Sequence, residues 1–101
     1  HKMVMEINKE KAEARLREVA RLYTDIRKSY RGLRKKYFYE DEKYMIIMQD
    51  NGSGCKEIHY GYGLKQMHER VAILNGTIYF YSEEGFRTVV EIPKIGGKKD
   101  D

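Results

Sequence analysis

A carboxylate stands directly ahead of a glycine pair in Asp50-Asn51-Gly52-Ser53-Gly54, and a second glycine pair follows in Gly61-Tyr62-Gly63-Leu64. An ionised carboxylate only accepts hydrogen bonds. Asp50 therefore suits an amine donor, such as the exocyclic amine of adenine. Glycines carry no Cβ, so Gly52 and Gly54 let the chain turn sharply and lie against a flat base. Gly61 and Gly63 come just ahead of a helical pattern, and a helix N-terminus offers free N–H groups and a partial positive charge to phosphate oxygens. Lys56 and His59 lie between the two pairs, in reach of the same oxygens. Either element alone is an ordinary glycine-rich turn. The two in succession, followed by an amphipathic helix and two strands, point to a nucleotide site.

The elements that must hold these residues are legible from periodicity. Residues 4–31 read as one long helix, rich in Ala, Glu, Lys, Arg and Leu and free of Gly and Pro. Its apolar positions Ala12, Leu16, Val19, Tyr23, Ile26 and Tyr30 alternate in steps of four and three, a heptad seam. Asn8 offers a cap for a later start, with the residues before it frayed, and Gly32 offers a stop. Residues 33–40 and the apolar run Tyr44 to Met48 read as a hairpin across the polar turn Glu40-Asp41-Glu42-Lys43. The apolar run predicts a central strand covered on both faces, ending at Asp50. After the glycine loop, Leu64, Met67, Val71 and Leu74 mark the inner face of a helix that Asn75-Gly76 stops. Residues 77–81 and 88–92 are two further strands, Pro93 ends the last, and residues 96–101 form a charged tail expected to be disordered. The order predicts an α+β two-layer sandwich, with helices on one face of a mostly antiparallel sheet, as a single domain over residues 1–95.

Bulk composition narrows the classes. The chain has 101 residues, 41% hydrophobic and 36% charged, with a net charge of +4. That is one small core under a heavily charged surface. The single Cys55 excludes an internal disulfide and a cysteine metal cluster. There is no signal-peptide pattern and no apolar run of membrane-spanning length. The expected compartment is the cytoplasm, either of a free protein or of the inner part of a membrane-bound sensor. The basic run Arg27, Lys28, Arg31, Arg34, Lys35 and Lys36 reads as a solvated helix end rather than a nucleic-acid surface. Nine tyrosines in a tryptophan-free chain are expected to pack the core and its rim.

From Tyr37 to Lys94 the chain resembles the second half of the ATP-binding catalytic domain of sensor histidine kinases, within the Bergerat-fold (GHKL) ATPases. Asn51 to Gly54 is similar to that family's first glycine box, Gly61 to Leu64 to its second, and Ser82 to Pro93 to its closing hairpin. Gly-Tyr-Gly-Leu, Met-x-Glu-Arg-Val and Leu-Asn-Gly are closest to the subgroup serving response regulators of the NarL type. The resemblance implies that Asp50 accepts the adenine amine and that Gly52 and Gly54 form the adenine wall and lid hinge. It also implies that Lys56, Gly61, Gly63 and Leu64 meet phosphates and that Thr88 supports the adenine end. It implies ATP and magnesium as cofactors. The implied partners are a histidine-bearing dimerisation domain of the same kinase and a response regulator.

The family's magnesium ligand is an Asn on the preceding helix. Arg17 to Ala20 fit that helix, but an ungapped alignment puts Leu22 in the Asn place. A shift offers Asp25 as an oxygen ligand, with Lys28 near the family's His. A third option is that this helix packs or dimerises and binds no metal. Arg87 stands where the closing hairpin usually has its second Gly. No phosphoacceptor is evident: His1 is terminal, His59 lies in the lid, and His68 reads as a solvated helix residue. The chain alone is therefore expected not to phosphorylate itself. The alternative reading is a nucleotide-free fold that acts as an interaction module, homodimerising through the first helix.

Overall fold

Strong helix formers run unbroken from the N-terminus, and in the computed structural model they make α1, Lys2–Ser29. The structure describes residues 2–52, 62–82 and 85–94, and for residues 2–5, 7 and 62 the backbone alone. The helix thus begins ahead of the Asn8 cap. It stops just short of Gly32, whose carbonyl accepts the Asn51 N–H at 3.2 Å. The chain then extends into β1 (Leu33–Glu40) and β2 (Lys43–Asp50), and burial alternates along β2 from Tyr44 to Met48. After α2 (Tyr62–Ile73) come β3 (Thr77–Tyr81) and β4 (Arg87–Pro93). The tail expected at residues 96–101 lies outside the described residues.

The four strands form one antiparallel sheet in the order β1-β2-β4-β3. Two local hairpins are therefore joined through their second strands. Registers Ile46↔Val90 and Val90↔Ile78 put like-facing side chains in rows across the sheet. One face carries Tyr44, Ile46, Met48, Ile78, Val90 and Ile92, and it meets Val19, Leu22, Ile26 and Tyr30 of α1 and Met67 and Val71 of α2 in one buried cluster. Helices on one face of an antiparallel sheet give the α+β two-layer sandwich.

The other face corrects two expectations. β2 is central, as its apolar run suggests, yet Met45 and Ile47 on its far side are only half-buried, because among the described residues both helices pack on the opposite face. Four tyrosines stand on that far face rather than in the core. Tyr37 stacks on Tyr39 (centroids 5.7 Å) and Tyr79 on Tyr81 (6.5 Å), all of them exposed. Strand alternation points the same way, since Tyr37, Ile47, Val89 and Tyr79 share one row.

Polar contacts among the described residues tie α1 to α2 and its end. Arg15 Nη1 donates to the Leu74 carbonyl at 2.6 Å, placing a cation on the orphan carbonyls of the α2 C-terminus. Arg70 Nη2 meets Asp25 Oδ2 at 2.9 Å. The α2 terminus itself turns through Asn75 at φ 59°, and the Gly76 N–H returns to the Val71 carbonyl at 2.9 Å. Asn tolerates that left-handed conformation better than most side chains, so the Asn-Gly stop read from the sequence is the one used.

Candidate functional site

β2 delivers Asp50 to the edge of the helix-covered face, where its side chain is buried at 2% exposure. A carboxylate this deep needs donors. It has them in the backbone: the Gly52 and Phe86 N–H groups both donate to Oδ1 at 3.0 Å. The first contact is a local turn in which the acid binds the amide two residues on. The second reaches across to β4, where the Asp50 N–H also donates to the Phe86 carbonyl at 3.0 Å. Among the described residues no donor meets Oδ2. The arrangement thus fixes one carboxylate oxygen through two backbone amides.

Gly85 is what lets the two strands close over the carboxylate. Its φ is 94°, and a Cβ there would lie 2.5 Å from Asp50 Oδ1. Gly52 also has a positive φ, 101°, but nothing lies within 4 Å of its Cβ position. Gly52 serves the turn, and Gly85 serves the approach as well.

Thr88 is fully buried, opposite Met48 in the register and on the same face as Asp50. Its Oγ1 lies 2.7 Å from the Tyr30 hydroxyl, which also donates to the Met48 carbonyl at 3.4 Å. Tyr30 belonged to the heptad seam in the sequence reading. The structure shows a further role, which periodicity could not disclose, because only the β2–β4 pairing brings residue 88 beneath residue 30. Tyr30→Phe removes one partner of a buried hydroxyl pair and leaves Thr88 Oγ1 without it, and we expect a loss of about 1 kcal/mol in urea unfolding. An unchanged midpoint would show that the hydroxyls contribute nothing net.

Phe86, whose backbone N–H holds Asp50, belongs to a group of aromatic side chains. Phe86 lies 6.3 Å from Tyr30 and 5.7 Å from Phe80, and the His68 ring meets the Phe80 edge at 5.6 Å. Phe86 and Phe80 are both half-buried, so each ring keeps some exposed apolar surface. Arg87, in the place of a family glycine, leaves this face altogether. Its guanidinium sits 4.7 Å above the Tyr81 ring on the far side of the sheet.

A cleft of about 260 Å³ opens between the two helices, lined by Asp25, Lys28, Ser29, Gly63, Gln66, Met67 and Arg70. Gly63 lies in the first turn of α2, which begins at Tyr62 rather than Leu64. Leu64 itself packs against the core. Ser29 lines the cleft and the next residue, Tyr30, reaches Thr88, so the end of α1 adjoins both the cleft and the carboxylate pocket. Gly54, Lys56 and Gly61 lie outside the described residues.

Leu22, in the place of the family's metal-binding Asn, is a core residue at 1% exposure. Asp25 does face the cleft, but its carboxylate is engaged by Arg70, with Lys28 lining the same space. Magnesium needs oxygen ligands with lone pairs to spare. Among the described residues no group of three His, Cys, Asp or Glu side chains is placed to hold a metal. Among the described residues, the one acid that faces the cleft is thus already paired with a cation.

No helix among the described residues is long and apolar enough to cross a membrane. No protein-family model matches the chain. A stretch of 57 residues is 37% identical to the signal transduction histidine-protein kinase/phosphatase UhpB of Salmonella typhimurium. The match covers 54% of this chain and 11% of that protein. It supports a relationship to histidine kinases by sequence.

Proposed function

We propose that the chain is the ATP-binding module of a two-component sensor histidine kinase, built to present ATP to a histidine on a separate dimerisation domain. A response regulator would then receive the phosphoryl group. The observation that carries this reading is the Asp50 carboxylate, buried at a strand end with Oδ1 fixed by two backbone amides and Oδ2 unmatched by any described donor. An adenine amine is a donor of the right kind, and the half-buried Phe86 and Phe80 would offer apolar surface to its ring. Thr88, tied to Tyr30, stiffens the wall next to Asp50. The glycine loop between Gly52 and Gly63 would fold over the phosphates, with Gly54, Lys56 and Gly61 contributing from it. Phosphoryl transfer is largely positioning and charge neutralisation, so such a module needs a partner domain to supply the acceptor. Titration of a fluorescent ATP analogue tests the reading. Saturable binding that Asp50→Asn removes is expected, and no binding at millimolar ligand would refute it.

A second reading has its own observation. The seam of α1 is occupied within the chain from Val19 onward, by contact with the sheet. Ahead of it, Leu16 is 36% exposed, and Glu6, Asn8, Lys9, Glu10, Lys11, Glu13 and Ala14 are all exposed. This half-helix supports self-association through α1, with or without a nucleotide. Sedimentation should then show a dimer whose fraction rises with concentration and falls in Leu16→Glu. A monomer at every concentration would end this reading.

A further inference from the structure

We propose that the far face of the sheet is a self-association surface, on which a second copy of this chain packs face to face with its strands reversed. The inference goes beyond the nucleotide reading and does not depend on it. The strand pairings sort this face into rows. Lys35 and Arg87 share the first row. Tyr37, Ile47, Val89 and Tyr79 make the second. Tyr39, Met45 and Glu91 share the third, and the β1–β2 turn with Asp41 and Glu42 lies just beyond it.

The first observation is apolar area. Tyr37, Tyr39, Tyr79 and Tyr81 are each between 41% and 48% exposed. A tyrosine can bury about 150–250 Å², so each leaves about 100 Å² open. Four of them, with the half-buried Met45, Ile47 and Val89 between, give about 400 Å² or more, the size at which an apolar patch is often functional. The rings are also stacked in pairs at the two edges, so they have little freedom left to lose when a partner arrives.

The second observation is the direction of charge. Lys35 and Arg87 are exposed and belong to no ion pair among the described residues. The Arg87 guanidinium is held on this face by the Tyr81 ring. At the other end Glu91 is paired with Lys43 at 2.8 Å and Glu40 with Lys94 at 3.3 Å. Asp41 and Glu42 have no such partner among the described residues. Two unpaired cations and two unpaired acids thus stand at opposite ends of one apolar band. Beside the acids opens a cavity of about 390 Å³, lined by Tyr39, Glu40, Asp41, Glu42, Lys43 and Met45. An aromatic ring and a thioether under carboxylates suit the apolar stem and charged head of a lysine.

Reversal decides the occupant. A two-fold axis across the strands lays β1 on β1 and β4 on β4, and it turns the basic end of each copy onto the acidic end of the other. Lys35 then meets the second copy's cavity, and Arg87 meets the second copy's Glu91. An axis along the strands would set cation against cation. A nucleic-acid strand would meet Lys35 and Arg87 but be repelled by Asp41 and Glu42, whereas a second copy answers both ends. The apolar patch is about half of the ~800 Å² that each partner gives to a standard interface, so the dimer is weak and concentration-dependent.

Sedimentation equilibrium of the 101-residue chain, from micromolar to millimolar concentration, tests the proposal. A dimer that loosens as salt rises is expected. Tyr37→Glu brings two like charges together near the axis and should abolish it. Lys35→Glu and Glu42→Lys should each weaken it about tenfold, because each change counts twice across the axis. The double variant Lys35→Glu with Glu42→Lys should recover most of that loss, which damage to the fold would not do. Leu16→Glu and Asp50→Asn should leave the dimer unchanged. Circular dichroism checks that each variant folds, and if Tyr37→Glu does not, the charge-reversed pair decides. A monomer at every concentration overturns the proposal. So does a dimer that Leu16→Glu dissolves and Tyr37→Glu spares, which would place the contact on α1. A monomer that binds a labelled single-stranded oligonucleotide, and loses it in Tyr37→Glu, would give the face to nucleic acid instead. The ATP-analogue titration reads Asp50 in monomer and dimer alike, so either reading can fail and leave the other standing.

Discussion

Asp50→Asn should keep the fold and lower affinity for an ATP analogue by about 100-fold, or about 3 kcal/mol. The substitution is isosteric. The amide oxygen of Asn can occupy the Oδ1 position and still accept from the Gly52 and Phe86 N–H groups, both now at 3.0 Å. The amide nitrogen then falls at the Oδ2 position and turns an acceptor into a donor. An amine on the ligand would face a like group at a residue only 2% exposed, losing its bond and leaving a buried donor unmatched. Asp50→Ala should behave differently. It leaves both backbone N–H groups without their acceptor, so stability as well as binding should fall, by about 2–4 kcal/mol. Urea unfolding of the two variants beside the titration separates the effects. Asparagine and alanine variants that are equally destabilised would show that charge, not hydrogen-bond direction, governs this residue. An asparagine variant that binds as well as the parent would remove Asp50 from the site.

Gly85→Ala carries the second large effect. At φ 94° an L-residue is strained, by about 1–3 kcal/mol. The added Cβ also falls 2.5 Å from Asp50 Oδ1, so the carboxylate must move and loosen the two amide bonds it accepts. Together these should cost about 3 kcal/mol and lower the melting temperature by more than about 10 °C. Gly52→Ala is the matched control. Its φ of 101° imposes a similar backbone strain, but its Cβ would point into open space. The difference between the two variants therefore isolates the contact with Asp50. Equal losses in the two would mean that the strand closes over the carboxylate less tightly than described. A Gly85→Ala protein that folds should also bind the ATP analogue more weakly, since Asp50 no longer sits where its partners held it.

Periodicity disclosed most of the fold. The α1 seam, the β1–β2 turn at Asp41, the inner face of α2 and the Asn75 stop depend on neighbours a few residues apart, and those can be read from one line of residues. The acid at residue 50 was visible for the same reason, because a carboxylate two residues before a glycine makes a local turn. Its other partner was not visible. Phe86 lies 36 residues away and comes alongside only when β2 pairs with β4. Tyr30 with Thr88, Arg15 with Leu74 and Asp25 with Arg70 were hidden in the same way, each being a contact between elements. Tyr30 and Tyr44 are in the core as composition suggests, whereas Tyr37, Tyr39, Tyr79 and Tyr81 stand on the far face, because which side of a strand a ring occupies depends on register, and composition carries no register. The half-buried far face of β2 departs from the apolar run on the same ground: such a run records what a strand can bury, and helix placement decides what it does bury.

The joining of two hairpins through β2 and β4 sets when the carboxylate pocket can exist. Each hairpin closes over a short stretch of chain, whereas the ladder from Lys43↔Pro93 to Gln49↔Arg87 must gather strands that have α2 and β3 between them in the chain. Long closures cost more chain entropy and slow folding more than short ones. Asp50 belongs to one hairpin and Phe86, Gly85 and Thr88 to the other or to its turn, so neither half owns the pocket. A newly made chain with both hairpins formed but unjoined would hold all its strands and no pocket. Nucleotide binding at Asp50 would then favour the joined state over every partly assembled one.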